Sequence, residues 1–247
     1  MHELKIRSMK RTMTTFTVIR TEFQLYAQKI RFFLIISFVV AITSLAGILV
    51  EIDDPLRLFI PQALAYYLGI FIGLSVISED YENKTLMALV LRAIPRRTII
   101  IGKSVSLVLI YALITIISLI FADIIFFALS GNHYNVVLLF RAFASSVLTA
   151  FIMISLTVLV SSYFLKMVPT AVASFVIFLL LILLSVGASF APIVAYSSPF
   201  FYVTDLGTLI PMTPQEIIIS IVGALIYAVV FLGVAILFFE KRELENL

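Results

Sequence analysis

Apolar runs long enough to cross a bilayer recur along this chain, and no soluble fold of its size can hide them all. A membrane-spanning helix needs about 20 consecutive apolar residues at about 1.5 Å each. Such runs lie at about 32–50 (FFLIISFVVAITSLAGILV), 59–78, 104–129, 142–164, 168–190 and 217–239. They predict an all-α polytopic membrane protein with six transmembrane helices. Composition points the same way: 62% of the 247 residues are hydrophobic and 13% are charged, whereas soluble domains stay near half and a quarter. With a mean hydropathy of +1.18, most of the chain must meet lipid rather than water.

The runs are punctuated in ways that fix their ends. Glu51, Asp53, Asp54 and Pro55 close the first; Pro61 lies near the start of the second, which stops at Glu79-Asp80. Gly69 and Gly73 give the second run a small-xxx-small face, a weak signal alone because glycine is common in membrane helices. Gly131-Asn132-His133 turns the chain after the third run, and Lys166 with Pro169 separates the fourth from the fifth. The organisation read from this is a polar N-terminal segment over 1–31, a six-span body over 32–239, and a charged tail over 240–247. The first apolar run lies behind 31 mostly polar residues without a small-residue cleavage pattern, so it reads as a retained span and not a signal peptide.

Charge sets the orientation. With the N-terminus inside, Lys5, Arg7, Lys10, Arg11, Arg20, Lys29, Arg31, Lys84, Arg92, Arg96, Arg97, Lys103, Lys166, Lys241 and Arg242 all face the cytoplasm. Only Arg57 and Arg141 of the 17 basic residues remain outside. The positive-inside bias therefore predicts a multi-pass protein of the cell membrane with both termini cytoplasmic. Asp205 and Glu216 then fall in outer loops.

Three segments outside the spans carry a pattern. Across 14–31, Phe16, Ile19, Phe23, Tyr26 and Ile30 recur at helical spacing, with Arg20, Gln24, Lys29 and Arg31 mainly elsewhere around the helix. That fits an amphipathic helix in the cytoplasmic interface; a soluble lead-in to the first span is the alternative. In the loop after the second span, acidic residues crowd the start and basic residues the end, the polarity that a helix dipole favours. Leu86, Leu89, Val90 and Ile94 make a short apolar face between them, and Pro95 ends it. Such a helix is shaped to dock in a cleft of a soluble partner, and an ordinary solvated loop fits the same residues equally well. The outer segment 191–220 holds Pro192, Pro199, Pro211 and Pro214 with Tyr196, Phe200, Phe201 and Tyr202. Short helices dipping into the outer leaflet account for it; a surface connection is the alternative.

Chemistry is sparse at bilayer depth. Asp123 is the one carboxylate inside a predicted span, a site by default in membrane proteins, with helix positioning or water contact as the simpler roles. Arg141 is placed to snorkel to the outer interface. His2 and His133 stand alone. The absence of cysteine removes disulfides, thiol catalysis and cysteine-ligated metal. No phosphate loop, H-E-x-x-H pair or G-x-S-x-G elbow occurs. The basic residues follow a membrane edge, which argues against nucleic-acid binding.

The ordered set of features resembles the permease subunits of ABC-2 type transporters. It comprises the amphipathic N-terminal helix, six spans with both ends inside, the loop Glu79-Asp80-Tyr81-Glu82-Asn83-Lys84-Thr85-Leu86, then Pro95-Arg96-Arg97 and Gly102-Lys103, and the tail Phe238-Phe239-Glu240-Lys241-Arg242-Glu243-Leu244. The resemblance covers essentially the whole chain and departs at Lys84, where family members often carry glycine. It implies that about 80–95 form a coupling helix seated in a separate ABC ATPase subunit, with Glu79, Asp80, Glu82, Thr85, Leu86, Leu89, Arg92, Pro95 and Arg96 as the coupling residues. It also implies two permeases, identical or homologous, with two ATPases, and a dimer interface and route lined by the first, second and fifth spans. Segment 191–216 would supply outer re-entrant helices, with Tyr196, Pro199, Phe200 and Phe201 as gate residues. On this reading the chain is no enzyme and binds no cofactor or metal; ATP and Mg belong to the partner ATPase. The near absence of fixed charge in the spans favours a hydrophobic or amphipathic substrate exported from the inner side. A stand-alone membrane ligand-binding subunit and an intramembrane enzyme are the rival classes. The first would lack the docking loop, and the second needs convergent polar groups at bilayer depth.

Overall fold

The computed structural model describes residues 17, 19–21, 60–83, 95–186, 198–207 and 212–241. The predicted first span, most of the N-terminal amphipathic segment, the middle of the charged loop at 84–94 and the tail from 242 lie outside the described residues. From residue 60 onward, seven helices follow in order among the described residues: α1 Ile60–Leu74, α2 Ser78–Glu82, α3 Arg96–Ser130, α4 Val136–Phe164, α5 Met167–Val186, α6 Pro199–Leu206 and α7 Pro214–Lys241. Among the same residues, five stretches are long and apolar enough to cross a membrane: Pro61–Glu82, Arg96–Ala128, Val136–Phe164, Met167–Ser185 and Pro214–Lys241. The protein is thus an all-α, multi-pass membrane protein.

Helix ends follow local chemistry. Pro95 stands at the N-cap of α3, where a missing N–H costs nothing and the ring stops a helix from running in from before. The 35-residue helix therefore starts well before Ser104, the expected boundary. At about 52 Å it exceeds the hydrocarbon core of about 30 Å, so its surplus turns project beyond the lipid. Gly131 closes α3 in the left-handed conformation (φ 72°), which glycine adopts without strain. The Asn135 side chain accepts the Val137 N–H at 2.8 Å and starts α4. Thr213 and Glu216 form a reciprocal capping box at the head of α7. The Glu216 carboxylate accepts the Thr213 N–H at 2.7 Å, and the Thr213 hydroxyl accepts the Glu216 N–H at 3.3 Å. Glu216 is accordingly a first-turn helical residue and not part of a loop, a correction to the sequence expectation.

The centre of the bundle is α4. In its most apolar window 78% of residues are buried, against 17% and 22% for α5 and α7, and it packs against α1, α3, α5, α6 and α7. Its small residues make this possible: Ala142, Ser145, Ser146, Ala150, Ser155 and Ser161 are all fully buried, which lets neighbouring backbones approach. The glycine face of α1 meets it directly. A Cβ on Gly69 would lie 2.5 Å from Met153 Cβ, and one on Gly73 would lie 2.7 Å from Thr157 Cβ. The buried hydroxyls mostly bond within their own helix, Ser146 to the Ala142 carbonyl and Thr157 to the Met153 carbonyl, each at 2.8 Å. Such back-bonding satisfies these hydroxyls locally, whereas the buried Thr149 and Ser155 hydroxyls of the same helix have no such bond.

Between α5 and α7 the chain forms the two-turn helix α6, packed against α4, α5 and α7. Phe200, Val203 and Leu206 are buried, so this segment is not merely a surface connection. The Ser198 hydroxyl donates to the Leu181 carbonyl at 2.9 Å, about 21 Å along α5 from Met167 at the helical rise. A Cβ on Gly223 would strike the Tyr202 ring at 2.6 Å, about 14 Å along α7 from Pro214. Helix α6 thus lies beside the last third of α5 and the first half of α7.

Candidate functional site

Polar residues gather at the end of the bundle where α2, α3, α5 and α7 meet. After α1 a tight turn, closed by the Ser75 N–H on the Ile72 carbonyl and the Val76 N–H on the Gly73 carbonyl, leads into α2. Its first residue, Ser78, is fully buried. The Ser78 hydroxyl shares a 2.6 Å hydrogen bond with that of Ser161 on α4 and donates to Thr170 on α5 at 3.3 Å. Two residues on, Asp80 forms an ion pair with Lys103 of α3. Lys103 is only 6% exposed, a burial that lysine tolerates only when paired. Glu82 then reaches the head of α5, where its carboxylate accepts the Met167 N–H at 2.8 Å. That amide is one of the unsatisfied donors of a helix N-terminus, so a carboxylate from another element caps α5.

The far flank of the charged loop is held as well. The Arg96 guanidinium donates to the Phe239 carbonyl at 3.3 Å and lies 5.9 Å from the centre of the Phe239 ring. Phe239 is fully buried near the end of α7. The Ser106 hydroxyl, one turn beyond Lys103, lies 3.3 Å from the Ile19 carbonyl, so the N-terminal helical residues touch α3 here. Of the expected coupling residues, the structure places Glu79, Asp80, Glu82, Pro95 and Arg96 at this end of the bundle; Thr85, Leu86, Leu89 and Arg92 lie outside the described residues.

A second assembly is aromatic. Phe200 of α6 sits edge-on to Tyr66 of α1 (5.3 Å) and to Phe178 of α5 (5.6 Å), and Tyr66 and Phe178 are themselves 5.3 Å apart. Edge-to-face aromatic contacts add directional attraction to packing. Gln62 donates to the Val203 carbonyl at 2.9 Å, and a Cβ on Gly207 would lie 2.1 Å from the Gln62 side-chain oxygen. The Tyr66 hydroxyl faces Gln62, Thr149 and Thr204. Of the expected gate residues, Pro199 and Phe200 are buried and Phe201 is half-buried; Tyr196 lies outside the described residues. Sequence reasoning missed Gln62, Tyr66 and Phe178, although an amide inside an apolar run is a signal that was there to read.

Asp123 serves its own hairpin. Its carboxylate accepts the Tyr134 N–H at 2.9 Å and is hydrogen-bonded to His133 Nδ1 at 2.9 Å. His133 stacks on Phe127 (4.5 Å) and Tyr134 on Phe126 (4.0 Å), so the α3–α4 turn is folded back on α3. This is the positioning role, and His133 is not solitary. Arg141, in the second turn of α4, is 5% exposed, so its side chain is covered by its neighbours in the chain. Finally, α4, α5 and α7 enclose an apolar groove of about 460 Å³ lined by residues including Leu156, Tyr163, Ile177, Phe231 and Phe238. No group of three or more His, Cys, Asp or Glu able to hold a metal occurs among the described residues.

Long apolar helices around a buried hub, tied by polar contacts at one end and by aromatic rings further along, define an all-α, multi-pass membrane protein. Over residues 3–244 the chain matches the family described as ABC-2 family transporter protein, and it belongs to that family. It is therefore the membrane permease component of an ABC-type transport system, a transport subunit with no catalytic role of its own. No curated protein matches the chain.

Proposed function

We propose that this chain is the permease of an ATP-driven exporter that moves a hydrophobic or amphipathic substrate from the inner side of the cell membrane to the outer. Both termini are cytoplasmic on this reading. The body over 32–239 has six spans, flanked by the N-terminal segment over 1–31 and the tail over 240–247. Two permeases assemble with two ATPase subunits, which hold the ATP and Mg. Residues 79–97 form the coupling hairpin, with Thr85, Leu86, Leu89 and Arg92 toward the ATPase. Helix α6, packed between α4, α5 and α7, acts as a re-entrant gate with Tyr196, Pro199, Phe200 and Phe201.

The observation that carries the proposal is the anchoring of both flanks of the charged loop, by Asp80, Glu82 and Arg96, in a chain of this family. A loop fastened on both sides transmits a push, whereas a loose one absorbs it. The apolar groove of about 460 Å³, within the range of small-molecule sites, supports an apolar cargo. The test is tagged purification from native membranes in mild detergent with mass spectrometry. A near-stoichiometric ATPase with a phosphate-binding loop is expected; a homogeneous chain without one, in a detergent that preserves such complexes, would refute the proposal.

A further inference from the structure

The charged loop reads from sequence as a row of acids offered to a partner, and the structure spends two of those acids inside the chain. The geometry points to Asp80 and Glu82 as positioning residues that fasten α2 to α3 and α5, so that the permease's own helices move with the coupling hairpin. This rests on the transport reading above and specifies how force leaves the hairpin.

Three facts combine. Asp80 is engaged by Lys103, which is buried and already committed to α3. Glu82 is engaged by a backbone amide at the first residue of α5. Ser78, one turn before Glu82, is held between Ser161 and Thr170. Within five residues α2 is thereby bonded to three different helices, through a side chain each time. A carboxylate that contacts a partner must be desolvated again on docking, and one already bonded inside its own chain has less to gain from that. A short helix tied to α5 by a cap and to α3 by an ion pair instead carries displacement into both. Helix α5 holds Phe178 of the aromatic assembly about 17 Å further along, so the Glu82 tie lies on the direct line from hairpin to gate.

The experiment uses the absence of native cysteine. Ser198→Cys, beside the aromatic assembly, is labelled with a maleimide dye in nanodiscs holding permease and ATPase, with and without Mg-ATP and vanadate. In the otherwise unaltered chain nucleotide changes the labelling rate. Glu82→Ala and Asp80→Ala are expected to shrink that change at least threefold while the ATPase still co-purifies at the same ratio. Glu82→Gln, whose amide oxygen can still accept the Met167 N–H, should stay within twofold of the unaltered chain. The exchange Asp80→Lys with Lys103→Asp should recover most of what Asp80→Ala loses. Loss of ATPase association in these variants, or Glu82→Gln failing as badly as Glu82→Ala, overturns the inference, because both mark a charge contact with the partner. Should no ATPase accompany even the unaltered chain, the transport reading fails by itself, and the ties are judged on the permease alone. Glu82→Ala, but not Glu82→Gln, must then raise hydrogen exchange at 167–170 at least tenfold, and unchanged exchange there overturns the inference too.

Discussion

Gly73→Ala tests whether the glycine face of α1 holds the bundle together. A Cβ at position 73 would lie 2.7 Å from Thr157 Cβ, 3.1 Å from Thr157 Cγ2 and 3.3 Å from the Cα of Ile154. Carbon atoms settle at about 3.5–4.0 Å, so α1 must withdraw from α4 by about 1 Å. No rotamer relieves this, because two of the three atoms are a Cβ and a backbone Cα. Overpacking of this kind costs about 1–3 kcal/mol, offset by up to about 1 kcal/mol for replacing a helical glycine, which leaves a loss of up to about 2 kcal/mol.

At about 2–4 °C per kcal/mol for a chain of this length, the thermal midpoint should fall by up to about 8 °C. It can be followed in detergent as loss of the monodisperse size-exclusion peak. The control is built in: a Cβ on Gly233 of α7 would meet nothing within 4 Å, so Gly233→Ala should leave the midpoint unchanged or raise it slightly. A Gly73→Ala protein as stable as Gly233→Ala would refute the close approach of α1 to α4. The effect should also reach the coupling end, since α1 leads through the 75–77 turn to Ser78. Its 2.6 Å bond to Ser161 does not survive a displacement of 1 Å.

Other perturbations separate the remaining elements. Phe200→Ala empties the space between Tyr66 and Phe178 and should cost about 3–5 kcal/mol if the neighbours do not collapse; nucleotide-independent labelling of Ser198→Cys should rise in parallel. Gln62→Ala removes one of two donors to the Val203 carbonyl, the Gly207 N–H remaining, a loss of about 0.5–1.5 kcal/mol, read by the same size-exclusion assay. Asp123→Ala removes both bonds that fold the 131–135 turn onto α3 and should speed limited proteolysis there without changing ATPase association. Leu86→Asp or Leu89→Asp should uncouple ATP hydrolysis from transport with membrane insertion intact, and near-normal transport would remove that helix from the coupling role.

The five spans among the described residues were legible because a bilayer enforces length and apolarity on each helix separately. Pro95 and Gly131 were legible as punctuation for the same local reason. The contacts between helices were not. Lipid and the protein interior are equally apolar, so the burial of α4 on all sides leaves no stripe in its sequence. The Gln62–Val203 bond joins residues 141 apart, and Glu82 and Met167 are 85 apart; no local pattern encodes either pair. The acids at 79–82 mislead for a further reason: sequence shows that charges are present and not what they are bonded to.

The two assemblies share one helix, and that constrains any mechanism. Ser161 of α4 holds Ser78 at the coupling end, and Thr149 of α4 faces the Tyr66 hydroxyl, about 18 Å along the same helix. Buried on every side, α4 has little room to bend or turn between those points. Helix α5 is mostly unburied and touches α4 far less than α1 or α7 does, so it can shift against α4 with far less repacking. Motion that begins at α2 is then expected to travel as sliding of α5 against a fixed α4, carrying Phe178 away from Phe200. A disulfide across the α4–α5 contact should stop the ATP-dependent change at Ser198, while one across the α1–α4 glycine contact should leave it intact. The opposite pattern would make α1 the moving element and α5 the frame.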